Sequence, residues 1–526
     1  APVRLESDVT FAVADEAAAK AHVDADPEGT SAAFVDEEWQ VTRKAGSLTY
    51  VPRRTTLSRT VGGQFPTDFD PSHWGIPASM TESMDRMAIW NLLTAVDAFV
   101  ASGFTPGELL ANLHPAEVAS TQGTGFGGMT SMHRLYVDRF KGDDYPQDIL
   151  QETLPNVVAA HTMQSYIGGY GSMIHPVGAC ATAAVSVEEG VDKITAGKAT
   201  FVVAGAIDDL QIESLIGFGD MNATANSQAM RDKGISERFF SRAGDIRRGG
   251  FVESQGGGTI LLARGDLAQE LGLPVLGVVG FVQSFADGIH TSIPAPGLGA
   301  LAAGRGGKNS RLARNLGALG VEPDDIKVLS KHDTSTNAND PNEAELHMRL
   351  ANALGRSEGN PLYVISQKTL TGHSKGGAAL FQMSGLTQVF ANSTVPGNKS
   401  LDCLDPEFAS DSFLVWPRKP IEVGTVKAAL LTSLGFGHVS AIVALVHPGA
   451  FEQAVANASG QEAAGEWRSR ASERLASGHR QLAKGMIGHA PLFEEADGRR
   501  FDGDAHEQEA AMLLDLDSRL GESGVY

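Results

Sequence analysis

Apolar positions along the chain follow two rhythms. Between about residues 51 and 447, short β-branched and apolar runs recur: ATFVVAGA at 199–206, VLGVVGFV at 275–282, LYVIS at 362–366 and SAIVALV at 440–446. Such near-continuous runs predict strands covered on both faces. Helical spacing alternates with them. Ala184, Val187, Val191 and Ile194 share one side of a predicted helix, with Glu188, Glu189, Asp192 and Lys193 on the other, and Gly197 closes it. Strands alternating with helices predict α/β layers. After Pro448 the strand signal ends, and Ala, Glu and Arg dominate FEQAVANASGQEAAGEWRSRASERLASGHRQLAKGM, so residues 448–526 are expected to form a helical, acidic C-terminal extension, packed on the main body or trailing from it. Residues 1–50 are acidic, Ala-rich and weakly periodic, and read as a lead-in. No short-period repeat indicates a solenoid.

Composition narrows the class. Of 526 residues, 42% are hydrophobic and 20% charged, and no apolar run approaches the roughly 18 residues of a membrane span. The two cysteines, Cys180 and Cys403, cannot build a disulfide framework, and no secretory pattern follows Ala1, so a cytoplasmic location is expected. The absence of an initiator Met points to a piece of a longer polypeptide. A net charge of -21 argues against nucleic acid as a partner. Much of that charge is local, with eight carboxylates in residues 11–40 and six in Phe501 to Asp517.

Four loops carry candidate chemistry. Cys180 lies in GACATA at the start of the predicted helix, where the helix dipole would lower its pKa and its own N–H could face an oxyanion. An inert packed thiol remains the other reading. His332 ends an apolar strand in IKVLSKHDTSTNANDPNEAEL, and Asp340-Pro341-Asn342-Glu343 reads as an N-cap, a first-turn proline and a capping-box glutamate. Lys368 and His373 follow another strand in LYVISQKTLTGHSKGG. Gly435-Phe436-Gly437 joins two strand-like runs, and its glycines allow a backbone N–H to come close to a ligand. Any one of the 15 histidines can be structural, but α/β folds place their sites in loops at the carboxyl ends of strands. No His/Cys cluster has metal-ligand spacing, so no metal is expected. GTGFGG lacks the strand, helix and distal acid of a dinucleotide fingerprint.

Taken together, Cys180 in GACATA, His332 in HDTSTNANDPNE, Lys368 and His373 in KTLTGH, and Phe436 in SLGFGH resemble the β-ketoacyl synthases in order and approximate spacing. GGQFPTDFDPSHWGIP, GTGFGGMTSM and SIPAPGLG are similar to the ketosynthase segment of type I fatty acid synthases of fungi and of mycobacteria and their relatives, so the resemblance runs from about 50 to 447. Asp333 departs from the family where a glycine is common, and so does His438 at the end of the Phe loop. A long insertion that fungal synthases carry after PAPG is missing, which favours the bacterial type I relatives.

The resemblance implies a thiolase-like α/β fold: duplicated βαβ-rich halves, about 51–270 and 271–447, in five layers. It implies a β-ketoacyl-carrier synthase in which Cys180 takes the acyl group, the N–H groups of Cys180 and Phe436 hold the oxyanion, and His332 and His373 stabilise the malonyl-derived enolate. Lys368 would order the histidines electrostatically, and Gly435 and Gly437 would let the Phe436 loop move. No bound cofactor is implied, since the substrates ride on the phosphopantetheine of an acyl carrier protein. Partners would be that carrier domain, the other domains of a type I synthase, and a second ketosynthase in a homodimer within a larger homo-oligomer. Neither Asp411-Ser412 nor Asp517-Ser518 has a carrier's setting, so the chain is expected to be a C-terminal ketosynthase portion served by a carrier encoded upstream. A polyketide-type ketosynthase differs only in substrate and context. A thiolase would need a second cysteine near 436, and Cys403 is not there. An inactive scaffold domain would be expected to lack Cys180 or a histidine.

Overall fold

A computed structural model describes residues 2–50, 56–66, 69–138, 145–287, 299–408 and 412–486. The SIPAPGLG motif, apart from its final Gly299, and the acidic run at 501–517 lie outside the described residues. The chain divides into two compact units, Ala1–Leu57 and Ser58–Tyr526.

The first unit differs from the expected lead-in. Strands Val9–Val13, Thr30–Val35 and Glu38–Arg43 form an antiparallel sheet with Glu38–Arg43 in the centre. A helix, Glu16–Ala25, is capped by Asp15, whose Oδ1 accepts the Ala18 N–H at 2.8 Å. Asp36 and Glu37 turn the hairpin at positive φ, 51° and 69°. The sequence rhythm is weak because, among the described residues of this unit, full burial reaches only Ala19, Thr30 and Val41. Three inward positions do not write a clear period.

The second unit is built on a three-stranded and a six-stranded sheet. Strand Val118–Ser120 runs parallel to Phe201–Asp208, which pairs antiparallel with Gly256–Ala263. The other sheet orders Leu414–Val415, Leu362–Ile365, Ile326–Ser330 and Ala428–Gly435 in parallel, then adds Val439–Val446 and Val278–Ala286 antiparallel. A parallel neighbour followed by an antiparallel one thus occurs in both sheets.

Strand alternation divides the core into layers. Phe201 and Val203 pack with helices Arg86–Ser102 and Gly265–Leu271 on one face of the first sheet. Val202, Ala204 and Ala206 face the opposite way, onto helices Thr182–Thr195 and Ala378–Asn392. Across the second sheet, Ala429, Leu431, Ala441 and Val443 meet the same two central helices, whereas Ala428, Leu430, Ile442 and Ala444 meet helices Arg311–Ala318 and Asn339–Leu354. The result is helix, sheet, helix, sheet, helix, a thiolase-like fold. Small alanines in the strands let the two central helices fit between the sheets.

After the last strand in the chain, helices Gly449–Ser459 and Gln461–Met486 follow the predicted helical composition. They dock rather than trail. The Trp467 indole N–H donates to the Leu273 carbonyl at 3.0 Å, and Arg470 donates to the carbonyls of Glu270 and Gln269 at 2.7 and 2.8 Å. Arg474 adds the carbonyls of Leu271 and Gly103, at 3.0 and 3.1 Å. These acceptors lie at the C-terminal ends of helices Gly265–Leu271 and Arg86–Ser102, where backbone carbonyls have no intrahelical donor. Among the described residues, no single helix is long and apolar enough to cross a membrane. Trp467→Ala removes a buried indole and one such bond, and is expected to cost about 3–5 kcal/mol, read as a lower urea midpoint. An unchanged midpoint would show that this helix is not part of the cooperative unit.

Candidate active site

Cys180 sits in a tight turn, Ala179–Ala181, immediately before helix Thr182–Thr195. Ala179 takes a positive φ of 46°, and Thr182 fastens the turn by accepting the Gly178 N–H at 2.9 Å and donating to the Ala179 carbonyl at 2.7 Å. From the second half, Ser433 Oγ donates to the Cys180 carbonyl at 2.9 Å. Gly435 packs so closely that a Cβ there would lie 2.4 Å from the Gly178 carbonyl oxygen. Residue 435 must therefore be glycine for the two halves to close at the cysteine.

Loops far apart in sequence converge on this turn. The Cys180 sulfur and one ring nitrogen each of His332 and His373 lie within 4.8 Å of one another, and all three residues are buried. The two imidazoles meet edge to face, with centroids 5.3 Å apart. His332 Nδ1 accepts the Leu434 N–H at 3.2 Å and faces the Lys368 ammonium at 3.0 Å. An Nδ1 engaged as an acceptor places the proton of the neutral ring on Nε2. Burial first, and the Lys368 charge second, hold His332 well below the usual imidazole range. His373 is shifted the same way by burial, Lys368, His332 and Lys375. Both rings are neutral at physiological pH, and each carries an N–H.

Sequence alone misread Glu343. The helix begins at Asn339 with no side-chain cap, and Glu343 lies within it instead of closing a capping box. Its carboxylate turns back to accept the backbone N–H of His332 at 2.5 Å and of Asp333 at 2.9 Å, as well as the Thr432 hydroxyl. Against a desolvation that would raise it, His347 and Lys331 hold this carboxyl well below its ordinary range. Glu343 thus fixes the backbone that carries His332. Asp340, read as the N-cap, also lies inside the helix, where Oδ2 accepts the Gly244 N–H at 3.2 Å.

The two departures from family glycines keep a glycine-like backbone: Asp333 has φ 41° and His438 φ 65°. Asp333 is compensated in a buried setting, with the Lys331 ammonium 2.8 Å from Oδ1 and the Ser366 hydroxyl donating to Oδ2 at 2.5 Å. Aspartate tolerates this region better than most residues.

Phe436 places its backbone N–H on the Cys180 sulfur and stacks its ring on Phe218, with centroids 5.6 Å apart. Phe218 in turn meets Phe251 at 5.4 Å, and Phe251 meets His373 at 4.9 Å. Neither Phe218 nor Phe251 stands in a motif that sequence reading could select. Gly437, at φ 82°, supplies the turn beyond Phe436.

Electrostatics correct one expectation about the nucleophile. Burial pushes the Cys180 thiol up to about 11, against the opposing influence of Lys368 and the Phe436 N–H, so the resting group is a thiol and not a thiolate preformed by the helix start. Lys368 is itself pushed down to about 8 by burial, although Glu343 and Cys180 pull the other way. The sequence also shows no His/Cys ligand spacing, yet three dimensions bring one sulfur and two imidazoles together. The donor set does not suit a metal, because the Leu434 N–H occupies His332 Nδ1 and leaves the nitrogen available for ligation carrying a proton. In the GTGFGG loop, the amides of Gly125 and Phe126 donate to the Asp208 carboxylate, which stands where a dinucleotide's phosphates would need them.

The Cys180 shift is measurable without substrate. Alkylation by iodoacetamide is expected to accelerate with pH toward a midpoint near 11. A midpoint at or below that of an ordinary thiol would show that the helix start outweighs burial.

The sequence matches the family described as Beta-ketoacyl synthase, N-terminal domain, over residues 27–268 and its C-terminal domain over residues 276–402. It is 38% identical over 478 residues to Fatty acid synthase alpha subunit stcJ of Emericella nidulans, covering 90% of this chain and 30% of that protein. Fatty acid synthase subunit alpha of Saccharomyces cerevisiae is 30% identical over 552 residues, with 87% of this chain and 29% of that protein covered. The chain therefore spans about 30% of the length of these relatives. In fold it is similar to the noncanonical ketosynthase FabY from P. aeruginosa, with a TM-score of 0.83 at 22% identity, covering 96% of this chain and 79% of that one. With both domain descriptions matched in order over more than half of its length, the chain belongs to the β-ketoacyl synthase family and is an acyltransferase-type enzyme.

Proposed function

We propose that this chain is the ketosynthase portion of a type I fatty acid synthase and catalyses the decarboxylative condensation that lengthens an acyl chain by two carbons. The observation that carries this reading is a cysteine sulfur within 4.8 Å of two imidazoles, both buried and neutral. One nucleophile and two N–H donors are what a condensation needs: a place to hold the acyl group and a charge-free means of stabilising an enolate.

In the first half-reaction the Cys180 sulfur attacks the thioester carbonyl of an acyl group on a carrier's phosphopantetheine. The N–H groups of Cys180 and Phe436 hold the tetrahedral oxyanion. A C–S bond to the carrier breaks as the new one forms, and the proton lost by Cys180 leaves with the carrier thiol. That proton is available because Cys180 rests as a thiol.

Malonyl-carrier then occupies the vacated site. His332 Nε2–H and an N–H of His373 donate to its thioester oxygen, the bond to the carboxylate breaks, and CO2 departs while the electron pair remains as an enolate. Neutral imidazoles suit this step, since imidazolium would protonate the enolate before it could attack. The enolate carbon attacks the acyl-Cys180 carbonyl, the C–S bond breaks, and the released Cys180 thiolate takes up one proton from solvent, the proton that the overall decarboxylative condensation consumes. Lys368 donates toward His332 Nδ1 and so makes the opposite Nε2–H a stronger donor.

The fatty acid context is favoured over a polyketide one by the named relatives, which are fatty acid synthase subunits. In this reading a carrier domain and the other catalytic domains of the synthase are the partners, two ketosynthases pair as a homodimer within a larger homo-oligomer, and no cofactor is bound by this chain.

Intact-mass analysis with acyl-carrier, followed by malonyl-carrier, tests the division of labour. Cys180→Ala is expected to abolish acylation. His332→Ala and His373→Ala should keep much of the acylation while condensation falls by about 10²-fold or more. Acylation that persists in Cys180→Ala, or acylation and melting temperature lost together in both histidine variants, would overturn the assignment.

A further inference from the structure

Asp208 ends strand Phe201–Asp208, is 1% exposed, and is absent from the reaction described above. Its carboxylate collects donors from two directions. On the first-half side, Thr124 Oγ1 donates to Oδ1 at 2.7 Å, Phe126 N–H to Oδ1 at 3.2 Å, and Gly125 N–H to both oxygens at 3.0 Å. From the second half, the Gly376 N–H donates to Oδ2 at 2.6 Å. Gly376 stands three residues after His373, in the turn Lys375–Gly377, where Lys375 holds a positive φ of 51°.

The same turn has other first-half anchors. The His373 N–H donates to the Val252 carbonyl at 2.7 Å, the Ser254 N–H donates to the His373 carbonyl at 3.1 Å, and the Lys375 ammonium lies 3.4 Å from Glu253 Oε2. A second-half histidine is thus held on the half that carries Cys180. The junction has no spare room: a Cβ on Gly376 would stand 2.7 Å from Asp208 Oδ2, 2.9 Å from the Gly125 nitrogen and 3.2 Å from the Thr182 Cβ. Thr182 opens the helix that follows Cys180.

We propose that Asp208 is a positioning residue for the condensation step, tying the His373 turn to the Gly125 loop so that the His373 ring is held at its working distance from the Cys180 sulfur. This rests on the ketosynthase reading. The two directions make the claim specific. An asparagine at 208 keeps one acceptor oxygen, which turns toward the three donors of the 124–126 loop. Its NH2 then faces the Gly376 N–H, donor against donor, and the His373 turn is released while the Gly125 loop stays bonded. Acylation by Cys180 does not use His373 and should survive.

Asp208→Asn in the full chain is compared with wild type at matched folding, checked by melting temperature. Condensation, with acyl-CoA and malonyl-CoA as the probes, is expected to fall by about 10-fold to 10²-fold, the scale of an ångström-sized misplacement. Acylation of Cys180 should not fall: the nucleophile keeps its own contacts, and loss of the Asp208 charge, which helps raise the thiol, acts toward faster acylation, so the assignment is read from the fall in condensation itself. A Thr124→Val variant keeps the side-chain shape, removes the bond that Thr124 donates to Asp208, and takes the same oxygen away as acceptor for the Phe126 and Gly127 N–H groups. It is expected to lower condensation by a smaller factor, and it serves if Asp208→Asn does not fold. Condensation unchanged in the folded variants, or acylation and condensation lost in equal proportion, overturns the assignment of Asp208. A wild-type chain that neither acylates nor condenses would instead sink the ketosynthase reading itself.

Discussion

A lysine ammonium buried against a neutral imidazole is the contact on which the site depends. Lys368 lies 3.0 Å from His332 Nδ1 in an interior that solvent does not reach. Placing a cation there is costly unless anions balance it. Glu343 supplies the balance and accepts the backbone N–H groups of His332 and Asp333, so the group that offsets the lysine also fixes the histidine. Lys331 and Asp333 form a second buried pair behind it, while burial and Asp333 push Asp340 up to about 7. Removing Glu343 would strip the Lys368 ammonium of the largest charge that offsets it.

The layered fold makes such an interior possible. Strands with apolar residues on both faces exclude water from the middle of the protein, and the loops at their carboxyl ends meet there. One half brings the cysteine turn, and the other brings both histidines and the Phe436 loop. Their meeting requires close backbone contact, which is why residue 435 is glycine and why the Ser433 hydroxyl reaches the Cys180 carbonyl. The same exclusion of water that neutralises the imidazoles also raises the thiol, so Cys180 rests protonated beside two neutral rings.

Much of the site is legible in the sequence because Cys180, His332, Lys368, His373 and Phe436 stand beside the glycines and strand ends that mark α/β loops. What stays hidden depends on contacts across the fold. Glu343 sits in a local pattern that a capping box would also produce, and only the position of His332 and Asp333 decides against the cap. The dipole of a helix start is visible from sequence, but the desolvation that outweighs it at Cys180 is tertiary. Phe218 and Phe251 have no local signal, since their importance lies in touching Phe436 and His373. Residues 2–50 form small sheets whose few buried positions leave almost no rhythm to read. Predicted helices after Pro448 were legible from composition, whereas their docking through Trp467 and Arg474 depends on carbonyls some 200 to 370 residues away.

The central claim is that His332 is a neutral donor whose proton sits on Nε2, facing the cysteine. Nitrogen-15 NMR of histidine-labelled protein, with the His332 signals assigned by their loss in His332→Gln, reads protonation and tautomer directly. The account predicts a neutral ring protonated on Nε2, with Nδ1 unprotonated, throughout pH 6 to 8. An imidazolium in that range, or a neutral ring protonated on Nδ1, would contradict it.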